Sequence, residues 1–349
     1  MNSTRIQQIV DQFELPRFRA RQLADAFFGQ HVDSFEDVST LAKDLRARVA
    51  AEFAVMTVRE HAVYVSADGR AHKALLELHD GKIVESVLLN PKPGLWSCCI
   101  SSQVGCALKC TFCATGLLGL ARNLTSEEIS DQVLFWRQYI RRKKMDCELR
   151  NVVYMGMGEP LQNHREVFAS LEELRNPQSF NIGARHLSVS TSGLTRQMRM
   201  FTERFPQVNL AVSLHAANDT LRERLMPINK ANPLAELAEA MRHHIRETRR
   251  KIFVEYILLQ DENDGDSHAR ELAEFLQLVG EPHLLHVNLI VYNPTDSEHV
   301  QSPRQRARAF KTLLEKLGVP CTIRRNLGRD IDGACGQLAL KAPKLAAAG

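Results

Sequence analysis

Short apolar stretches alternate with longer helical patterns between about Leu95 and Arg325, and this alternation constrains the fold more than any other feature. Repeated strand-helix units place successive strands side by side in parallel, because each helix carries the chain back to the start of the next strand. An α/β protein with a parallel sheet is therefore predicted. The predicted strands are Trp96–Ser102, Asn151–Met155, His186–Ser190, Val208–Ser213, Ile252–Leu258 and His286–Tyr292, with a final strand at Pro320–Arg325.

Helical patterns lie between these strands, and the first of them has a defined start. Thr125 and Glu128 form the sequence signature of a capping box, in which each side chain accepts a hydrogen bond from the other residue's backbone N–H. Six strand-helix units would form either a partial TIM-like barrel, (β/α)6, or a doubly wound sheet, and periodicity alone does not separate the two. The predicted helices are Thr125 to about Arg142, Arg165–Arg175, Pro233–Arg249, Ser267–Leu278 and Pro303–Leu317.

Short motifs that contain cysteine, glycine, serine, histidine or asparagine follow nearly every predicted strand. This position favours the partial barrel. In parallel barrels the catalytic groups lie at the C-terminal ends of the strands, so these residues would meet at one mouth. Each motif alone is weak evidence for a functional site, since a Gly-x-Gly-Glu is often only a turn and a lone histidine is often structural. The motifs are a cysteine loop after the first strand, then Gly156-Met157-Gly158-Glu159, Ser190-Thr191-Ser192-Gly193, Ser213-Leu214-His215 and Asn293-Pro294.

The cysteine loop contains Cys106, Cys110 and Cys113, with three and then two residues between them. A cluster of four irons normally takes four thiolates, so three ligands would leave one iron open to a substrate or cofactor. Two alternatives remain: structural zinc with a fourth ligand from elsewhere, and a redox pair formed by Cys110 and Cys113. Structural zinc cysteines usually occur as two close pairs, and a redox pair has no need of Cys106. The spacing therefore favours an iron-sulfur cluster.

Composition limits the number of domains, the kind of protein and the compartment that the chain suits. The chain has 349 residues, 44% hydrophobic and 25% charged, which is enough for about two domains and a sizeable core. No apolar run of about 18 residues predicts a membrane span, and the N-terminus lacks the apolar region of a signal peptide. Eight clustered cysteines fit metal and redox chemistry in a reducing compartment, so a cytoplasmic location is predicted. The net charge of +4 is only a weak indication of an anionic partner.

Two further cysteines lie outside the triplet, in sequence contexts that suggest a reactive thiol. Cys335 lies in the polar, glycine-flanked segment Asp330–Leu338, and Cys99 precedes Cys106 by seven residues. Two accessible thiols near one mouth indicate a disulfide or covalent catalysis, although a lone cysteine is often a small buried hydrophobe. Cys98 adjoins Cys99, and neighbouring residues of a strand face opposite sides. We expect Cys99 to point into the barrel.

The chain before the barrel divides into two parts. Residues 1–60 are predicted to form a helical accessory domain with helices at Thr4–Phe13, Arg17–Phe28 and Phe35–Phe53. A β-hairpin linker follows over residues 61–91, with strands Lys73–Leu78 and Lys82–Leu89 around the turn dipeptide Asp80-Gly81. The barrel then covers residues 92–325, and residues 326–349 hold the Cys335 loop and a tail that is expected to fray from 341 onward.

Basic residues are concentrated in the stretches Arg137–Lys144, Arg242–Lys251 and Arg324–Arg329. Arginines in these stretches and in the accessory domain are candidates for phosphate contacts with RNA. The alternative is that they form ordinary solvated helix faces, since none of the stretches has the interleaved aromatic residues of a stacking platform.

Several of these motifs together resemble the RlmN/Cfr family of radical S-adenosylmethionine (SAM) enzymes, which methylate an adenine carbon in ribosomal RNA. The similarity extends from about Phe18 nearly to the C-terminus, and it implies a radical SAM barrel with a small N-terminal helical domain. The matching segments are Cys99–Gly116, Met155–Pro160, Leu187–Gly193, Ser213–His215, Met226–Asn229 and Asp330–Leu338.

The resemblance implies a role for each candidate site residue. Cys335 would carry the methyl group as S-methylcysteine, Cys99 would resolve the intermediate through a transient disulfide with Cys335, and Glu85 would be the proton acceptor. By sequence alone Glu85 is an ordinary exposed strand residue. Cys106, Cys110 and Cys113 would hold one 4Fe-4S cluster with SAM on its open iron. The SAM-binding positions would be Gly158, Glu159, Ser190, Ser213, Leu214, His215 and Asn293.

The resemblance also implies partners. The substrate would be 23S ribosomal RNA of the large subunit, with C2 of adenine favoured over C8. The resemblance leaves open whether transfer RNA is a second substrate. An electron donor such as flavodoxin or ferredoxin would be needed, and the protein is expected to act as a monomer. The alternatives are a radical SAM enzyme with another substrate, or a non-catalytic protein that binds zinc or RNA.

Overall fold

The core of the fold is a ten-stranded mixed sheet that is open at both edges. The structure is a computed structural model that describes residues 1–340, so the tail expected at 341–349 lies outside the described residues. A separate two-stranded ribbon, β5 with β6, holds the cysteine loop. The strands in chain order are β1 (Val58–Val65), β2 (Ala71–Leu78), β3 (Ile83–Lys92), β4 (Leu95–Cys99), β5 (Gln103–Gly105), β6 (Leu120–Asn123), β7 (Leu149–Tyr154), β8 (Leu187–Thr191), β9 (Asn209–Ser213), β10 (Ile252–Leu258), β11 (Leu285–Val291) and β12 (Cys321–Ile323).

The strand order in the main sheet is β1-β2-β3-β4-β7-β8-β9-β10-β11-β12. Strands β1 to β4 pair antiparallel, whereas every pair from β4 through β12 is parallel. Six strand-helix units followed by a short final strand confirm the predicted α/β fold with its partial (β/α)6 barrel. All the parallel strands end at the same edge, which is where the unusual residues were predicted to meet.

Helices connect the parallel strands and cover the sheet. None of those within residues 1–340 is long and apolar enough to cross a membrane. In the described part of the chain the α-helices are α1 (Ser3–Gln12), α2 (Phe18–Ala24), α3 (Lys43–Glu52), α4 (Ala114–Leu118), α5 (Ser126–Arg142), α6 (His164–Arg175), α7 (Thr195–Arg204), α8 (Asp219–Leu225), α9 (Leu234–Thr248), α10 (Asp266–Val279) and α11 (Arg304–Lys316).

The predicted capping box at the start of α5 is present. The Thr125 hydroxyl accepts from the Glu128 N–H at 3.2 Å, and the Glu128 carboxylate accepts from the Thr125 N–H at 3.0 Å. Arg122 holds the same carboxylate with two bonds of 2.8 Å and also reaches Asp80 in the β2–β3 turn. The start of α5 is therefore tied to the hairpin as well as to its own first turn.

The N-terminal helices differ from the sequence prediction in two places. The single helix predicted over Phe35–Phe53 is wrong: a 3-10 turn at Phe35–Asp37 is followed by a bend, and α3 begins at Lys43. The Ser34 hydroxyl accepts from the Glu36 N–H at 3.0 Å, which favours a local turn over a continuing helix. The second predicted helix also changes form, since α2 passes into one π-helical turn at Asp25–Gly29.

The predicted hairpin is confirmed as the pair β2 and β3, but it forms part of the main sheet. Residues Leu78 and Lys82 close the turn with a backbone hydrogen bond of 2.8 Å, and Gly81 takes the positive φ that the turn requires. The strand β1, which sequence reasoning missed, pairs with β2, and β3 pairs with β4 of the barrel. The hairpin thus extends the barrel sheet.

His244 on α9 gives the fold a pH-dependent element. The residue is fully buried, its Nδ1 lies 2.9 Å from the Thr202 hydroxyl, and its ring stacks on Phe201. Burial, with a smaller contribution from Arg250, lowers the pKa of His244 from 6.5 to about 4. The native state therefore holds the neutral ring, while the unfolded chain binds a proton below pH 6.5.

We predict that this histidine destabilises the fold as pH falls from about 6.5 to about 4, by roughly 3 kcal/mol at most. Replacing His244 with Gln should flatten the fall of the urea midpoint across that range. The matched control is His283→Gln, because His283 is 71% exposed. If His244→Gln and wild type lose stability in parallel over that range, the buried ring is not the source.

Candidate active site

A cavity of about 150 Å³ lies at the carboxyl edge of the parallel strands. Its wall combines residues from the ends of β7, β8, β9 and β10 with the cysteine loop and the C-terminal loop. Seven of the predicted site residues line it: Cys113, Gly158, Glu159, Ser190, Ser213, His215 and Cys335. The convergence predicted from the strand ends is therefore present in the structure.

The remaining predicted residues lie around this cavity without lining it. Cys106 and Cys110 are in the same loop as Cys113, whereas Cys99 ends β4 and Glu85 lies on β3. The Leu214 side chain is fully buried, and its backbone N–H donates to Glu255 O at 3.0 Å.

The cysteine loop is closed by a close approach of two glycines. Gly105 has φ +78°, and a Cβ at that position would lie 1.8 Å from the Gly119 carbonyl oxygen, so only glycine fits. The Cys106 N–H donates to that same carbonyl at 2.9 Å. Across the loop, the Thr111 N–H donates to Leu225 O at 3.0 Å. These bonds hold the three thiols against the barrel mouth.

The donor chemistry of the loop fits an iron-sulfur cluster. Burial raises the pKa of Cys106 to about 11 and raises that of Cys110 well above its usual value, with further contributions from the neighbouring cysteines. Thiolates in this place therefore need a metal to supply compensating positive charge, and soft sulfur ligands select iron-sulfur clusters or zinc. Within residues 1–340, no three Cys, His, Asp or Glu side chains are grouped closely enough to hold a single metal ion.

The loop after β7 requires glycine at two positions. A Cβ at Gly156 would lie 2.7 Å from the Ile100 backbone, and one at Gly158, where φ is +96°, would lie 2.5 Å from the Gln103 side chain. The Glu159 carboxylate follows and accepts from the Leu161 N–H at 3.0 Å and the Ser192 N–H at 2.8 Å. Burial raises the pKa of Glu159. Glu159 therefore joins the loops after β7 and β8 at the wall of the cavity.

His215 presents one defined face to the cavity. Its backbone has φ +60°, and its Nδ1 accepts from the Ile257 N–H at 3.1 Å. Burial lowers the pKa of His215 to about 3, so the ring is neutral and carries its proton on Nε2. The Phe112 ring packs edge-on against it at 4.9 Å between centroids. The imidazole can therefore act as a hydrogen-bond donor of fixed orientation.

Hydroxyl groups line the neighbouring strand ends. The Ser190 and Ser213 hydroxyl oxygens lie 3.4 Å apart and are half-buried. Asn293 points elsewhere, because its amide donates to Cys335 O at 3.3 Å and its Oδ1 accepts from Asn326 at 2.7 Å. Paired hydroxyls with a neutral imidazole suit the polar groups of an amino acid or ribose.

The Cys335 loop is fastened to the cysteine loop by two hydrogen bonds. The Ala114 N–H donates to Gly336 O at 2.9 Å, and the Thr115 hydroxyl donates to Leu338 O at 2.7 Å. Cys335 itself is exposed and faces the cavity as a free thiol. The residues directly after Cys113 therefore set the position of Cys335.

Cys99 and Cys98 have separate environments, as the strand alternation predicted. Cys98 is fully buried in the main core, where burial raises its pKa to about 12. Cys99 retains 8% exposure, and its pKa is raised by burial and then by the proximity of Cys335. Cys99 and Cys335 are both free thiols within electrostatic range of one another.

Glu85 is fully buried, which differs from the exposed residue that its strand pattern suggested. Lys73, also buried, donates to its carboxylate at 3.2 Å and to Asp332 O at 3.4 Å. Burial raises the pKa of Glu85 to about 7, and Lys73 opposes this shift. The pair lies beneath the segment that carries Cys335. Sequence reasoning missed Lys73, although the hairpin register places it diagonally opposite Glu85.

Two arginines that sequence reasoning missed organise the mouth. Arg222 is fully buried and donates to Leu214 O at 3.1 Å, Ser192 O at 2.7 Å and the Asn229 side chain at 2.7 Å. Arg324 lines the cavity and donates to Glu255 at 3.1 Å. No motif marks either residue, because both act through contacts between distant parts of the chain.

Comparison with known proteins decides the family. A sequence model of the radical SAM superfamily matches residues 100–276. The "probable dual-specificity RNA methyltransferase RlmN" of Streptococcus gordonii is 43% identical over 325 residues, which cover 92% of this chain and 88% of that protein. The protein of the same name from Streptococcus pyogenes serotype M5 is 42% identical over 331 residues, which cover 94% and 91%. The chain belongs to the RlmN family of the radical SAM superfamily.

A solved structure supports the same assignment. A radical SAM methyltransferase from Sphaerobacter thermophilus superposes with a TM-score of 0.91 at 38% identity, covering 98% of each chain. The predicted family, fold and enzyme class, a SAM-dependent RNA methyltransferase, are thereby confirmed. Membership of the RlmN family implies a 4Fe-4S cluster and SAM as cofactors.

We predict that Thr115→Val loosens the Cys335 loop. The substitution keeps the side-chain shape but removes the hydroxyl that donates to Leu338 O. Loss of one hydrogen bond, about 1 kcal/mol net, should raise the hydrogen-deuterium exchange rate of the backbone amides in the Cys335 loop about fivefold, measured by peptide mass spectrometry. Thr115→Ser, which keeps the hydroxyl, should exchange at the wild-type rate. Equal rates for Thr115→Val and wild type would show that the bond does not position the loop.

Proposed function

We propose that this enzyme methylates an adenine carbon of 23S ribosomal RNA through an S-methylcysteine formed on Cys335, with C2 favoured over C8. The observation that carries the proposal is the shared cavity, which Cys335 lines together with Cys113, the paired hydroxyls of Ser190 and Ser213, and His215. A methyl-carrying thiol beside the ligands of a radical-generating cofactor is what carbon methylation requires.

The chemistry explains why a protein thiol is needed. An aromatic C–H carbon of adenine is too weak a nucleophile to take a methyl group from SAM directly. Cys106, Cys110 and Cys113 would hold the cluster, which supplies the electron that cleaves SAM to a 5'-deoxyadenosyl radical. The other candidate residues would bind and orient SAM: Gly158, Glu159, Ser190, Ser213, Leu214 and His215 at the mouth, and Asn293 through its contact with the Cys335 loop.

Cys335 would act twice. Its thiolate would first attack the methyl carbon of one SAM, so that an S–C bond forms as the sulfonium S–C bond breaks and S-adenosylhomocysteine leaves. The 5'-deoxyadenosyl radical would then take a hydrogen atom from this methyl group, and the methylene carbon would bond to the adenine ring. The ring adduct would give up one electron, which the oxidised cluster can take back. Attack by the Cys99 thiolate on the Cys335 sulfur would form a disulfide and break the bond between sulfur and the methylene carbon, which keeps the electron pair and takes up a proton to become the methyl group. Glu85, buried below this loop, would accept the proton that leaves the ring.

The same proposal assigns parts of the chain. Residues 1–60 would contact RNA, 61–91 would link them to the core, 92–325 would form the radical SAM core, and 326–349 would supply Cys335. The words "dual-specificity" in the relatives' name support a second RNA substrate, and we propose transfer RNA for it. The remaining assignments are an electron donor such as flavodoxin or ferredoxin, a monomeric state and a cytoplasmic location.

The decisive experiment is nucleoside mass spectrometry of large-subunit RNA after anaerobic incubation with reconstituted enzyme, SAM and a reductant. We expect wild type to yield 2-methyladenosine and Cys335→Ala to yield none, because the variant has no thiol to carry the methyl group. The matched control is Cys321→Ala, whose thiol is buried on β12 beside Lys311 O and should be dispensable.

The other outcomes separate the parts of the proposal. Formation of 8-methyladenosine would overturn the choice of carbon alone. Equal methylation by Cys335→Ala would overturn the covalent route. SAM cleavage by wild type without any methyladenosine would favour the second candidate, a radical SAM enzyme that acts on another substrate.

A further inference from the structure

A second, larger cleft lies at the opposite end of the strands from the active site. Its volume is about 1050 Å³, and it runs between the N-terminal helices α1 and α2 and the C-terminal half of α5. Leu149, the first residue of β7, lies in its wall, whereas the residues that follow β7 line the active-site cavity. The six residues of β7 put the two sites roughly 20 Å apart.

Four arginines line this cleft: Arg17, Arg21, Arg137 and Arg141. Across residues 1–340, Arg137 donates to the Phe180 carbonyl at 3.0 Å and stacks over the Phe180 ring at 5.4 Å, without a carboxylate partner. Burial lowers the pKa of Arg137. A partly buried guanidinium that contacts only a carbonyl and a ring retains donors for an anion.

The cleft wall holds two carboxylates, Asp25 and Glu148, against its four arginines, and Glu148 also acts electrostatically on Arg137. Asp25 accepts from Gln30 at 2.9 Å, and Glu148 pairs with Arg150 at 3.3 Å. None of the ion pairs found in the described part of the chain involves Arg17, Arg21 or Arg141. The cleft therefore has an excess of positive charge that the protein itself does not neutralise.

Several arginines outside the cleft are paired with carboxylates, and these give matched positions for comparison. Arg242 pairs with Glu239, and Arg246 with Glu247 at 3.1 Å. Arg142, next to Arg141 on α5, lies outside the cleft and pairs with Glu60 at 2.7 Å. Of the three basic stretches in the sequence, the one on α5 thus contributes unpaired arginines to a concave site.

We propose that this cleft binds backbone phosphates of the RNA substrate at a distance from the reacting adenine. The inference rests on the proposed function, and it adds a second contact region to it. Planar guanidinium groups bind phosphate oxygens through two parallel hydrogen bonds, and four of these groups line the cleft. Since it lies far from the reacting atoms, it contributes affinity without taking part in the chemistry.

The test compares Arg21→Gln/Arg141→Gln with the control Arg142→Gln, each as the reconstituted full chain. RNA binding is measured by fluorescence anisotropy across a range of salt concentrations. Each lost phosphate contact should lower the slope of log K against log salt by about 0.7–0.9. We expect the double variant to bind RNA about tenfold more weakly and to show a higher KM with an unchanged kcat. Arg142→Gln should match wild type.

Other results would show whether the RNA contact in the cleft or the proposed function is wrong. If the double variant binds RNA with the same affinity and slope as wild type, the cleft does not contact RNA. If instead pyrophosphate binds wild type and not the double variant while RNA binding is equal, the cleft takes a free phosphate compound and the RNA assignment is overturned. If wild type itself does not bind RNA, the proposed function fails first.

Discussion

The parallel hydrogen-bonded ladder from β4 to β12 is the constraint on which the rest of the structure depends. Because every strand of that ladder runs in one direction, each of the loops that follow them starts from the same edge. The cysteine loop, the Gly156–Glu159 turn and His215 are brought together in this way, although they are far apart in sequence. Arg222 then joins the loops after β8 and β9 with bonds to the Ser192 and Leu214 carbonyls, and it also donates to the Asn229 side chain.

Much of this arrangement could be predicted, because its signals are local. The strand pattern, the Thr125 capping box and the Asp80-Gly81 turn each depend on neighbouring residues, and the cysteine spacing is a short motif. The helix predicted over Phe35–Phe53 failed because the Ser34 turn competes with helix formation. Burial of Glu85 could not be read from its strand, since it depends on Lys73 and on the C-terminal segment packed over both.

The sheet also explains why the hairpin and the C-terminal loop belong together. Strand β3 pairs with β4, so Glu85 lies one strand away from Cys99, and Lys73 reaches from β2 to the Asp332 carbonyl. A buried ion pair is costly unless its remaining polar groups are satisfied. Here the chain segment that satisfies Lys73 is the one that carries the exposed thiol. Stability of the pair and placement of Cys335 are therefore linked.

Two titratable side chains of the small cavity, His215 and Glu159, are held in place by hydrogen bonds to backbone N–H groups. His215 uses its Nδ1 to hold the Ile257 N–H, and Glu159 uses both carboxylate oxygens to hold backbone N–H groups. Neither side chain is free to shuttle protons into the cavity. His215 therefore acts as a neutral donor, and Glu159 is committed to the loops after β7 and β8. Both side chains shape the cavity without supplying or removing protons there.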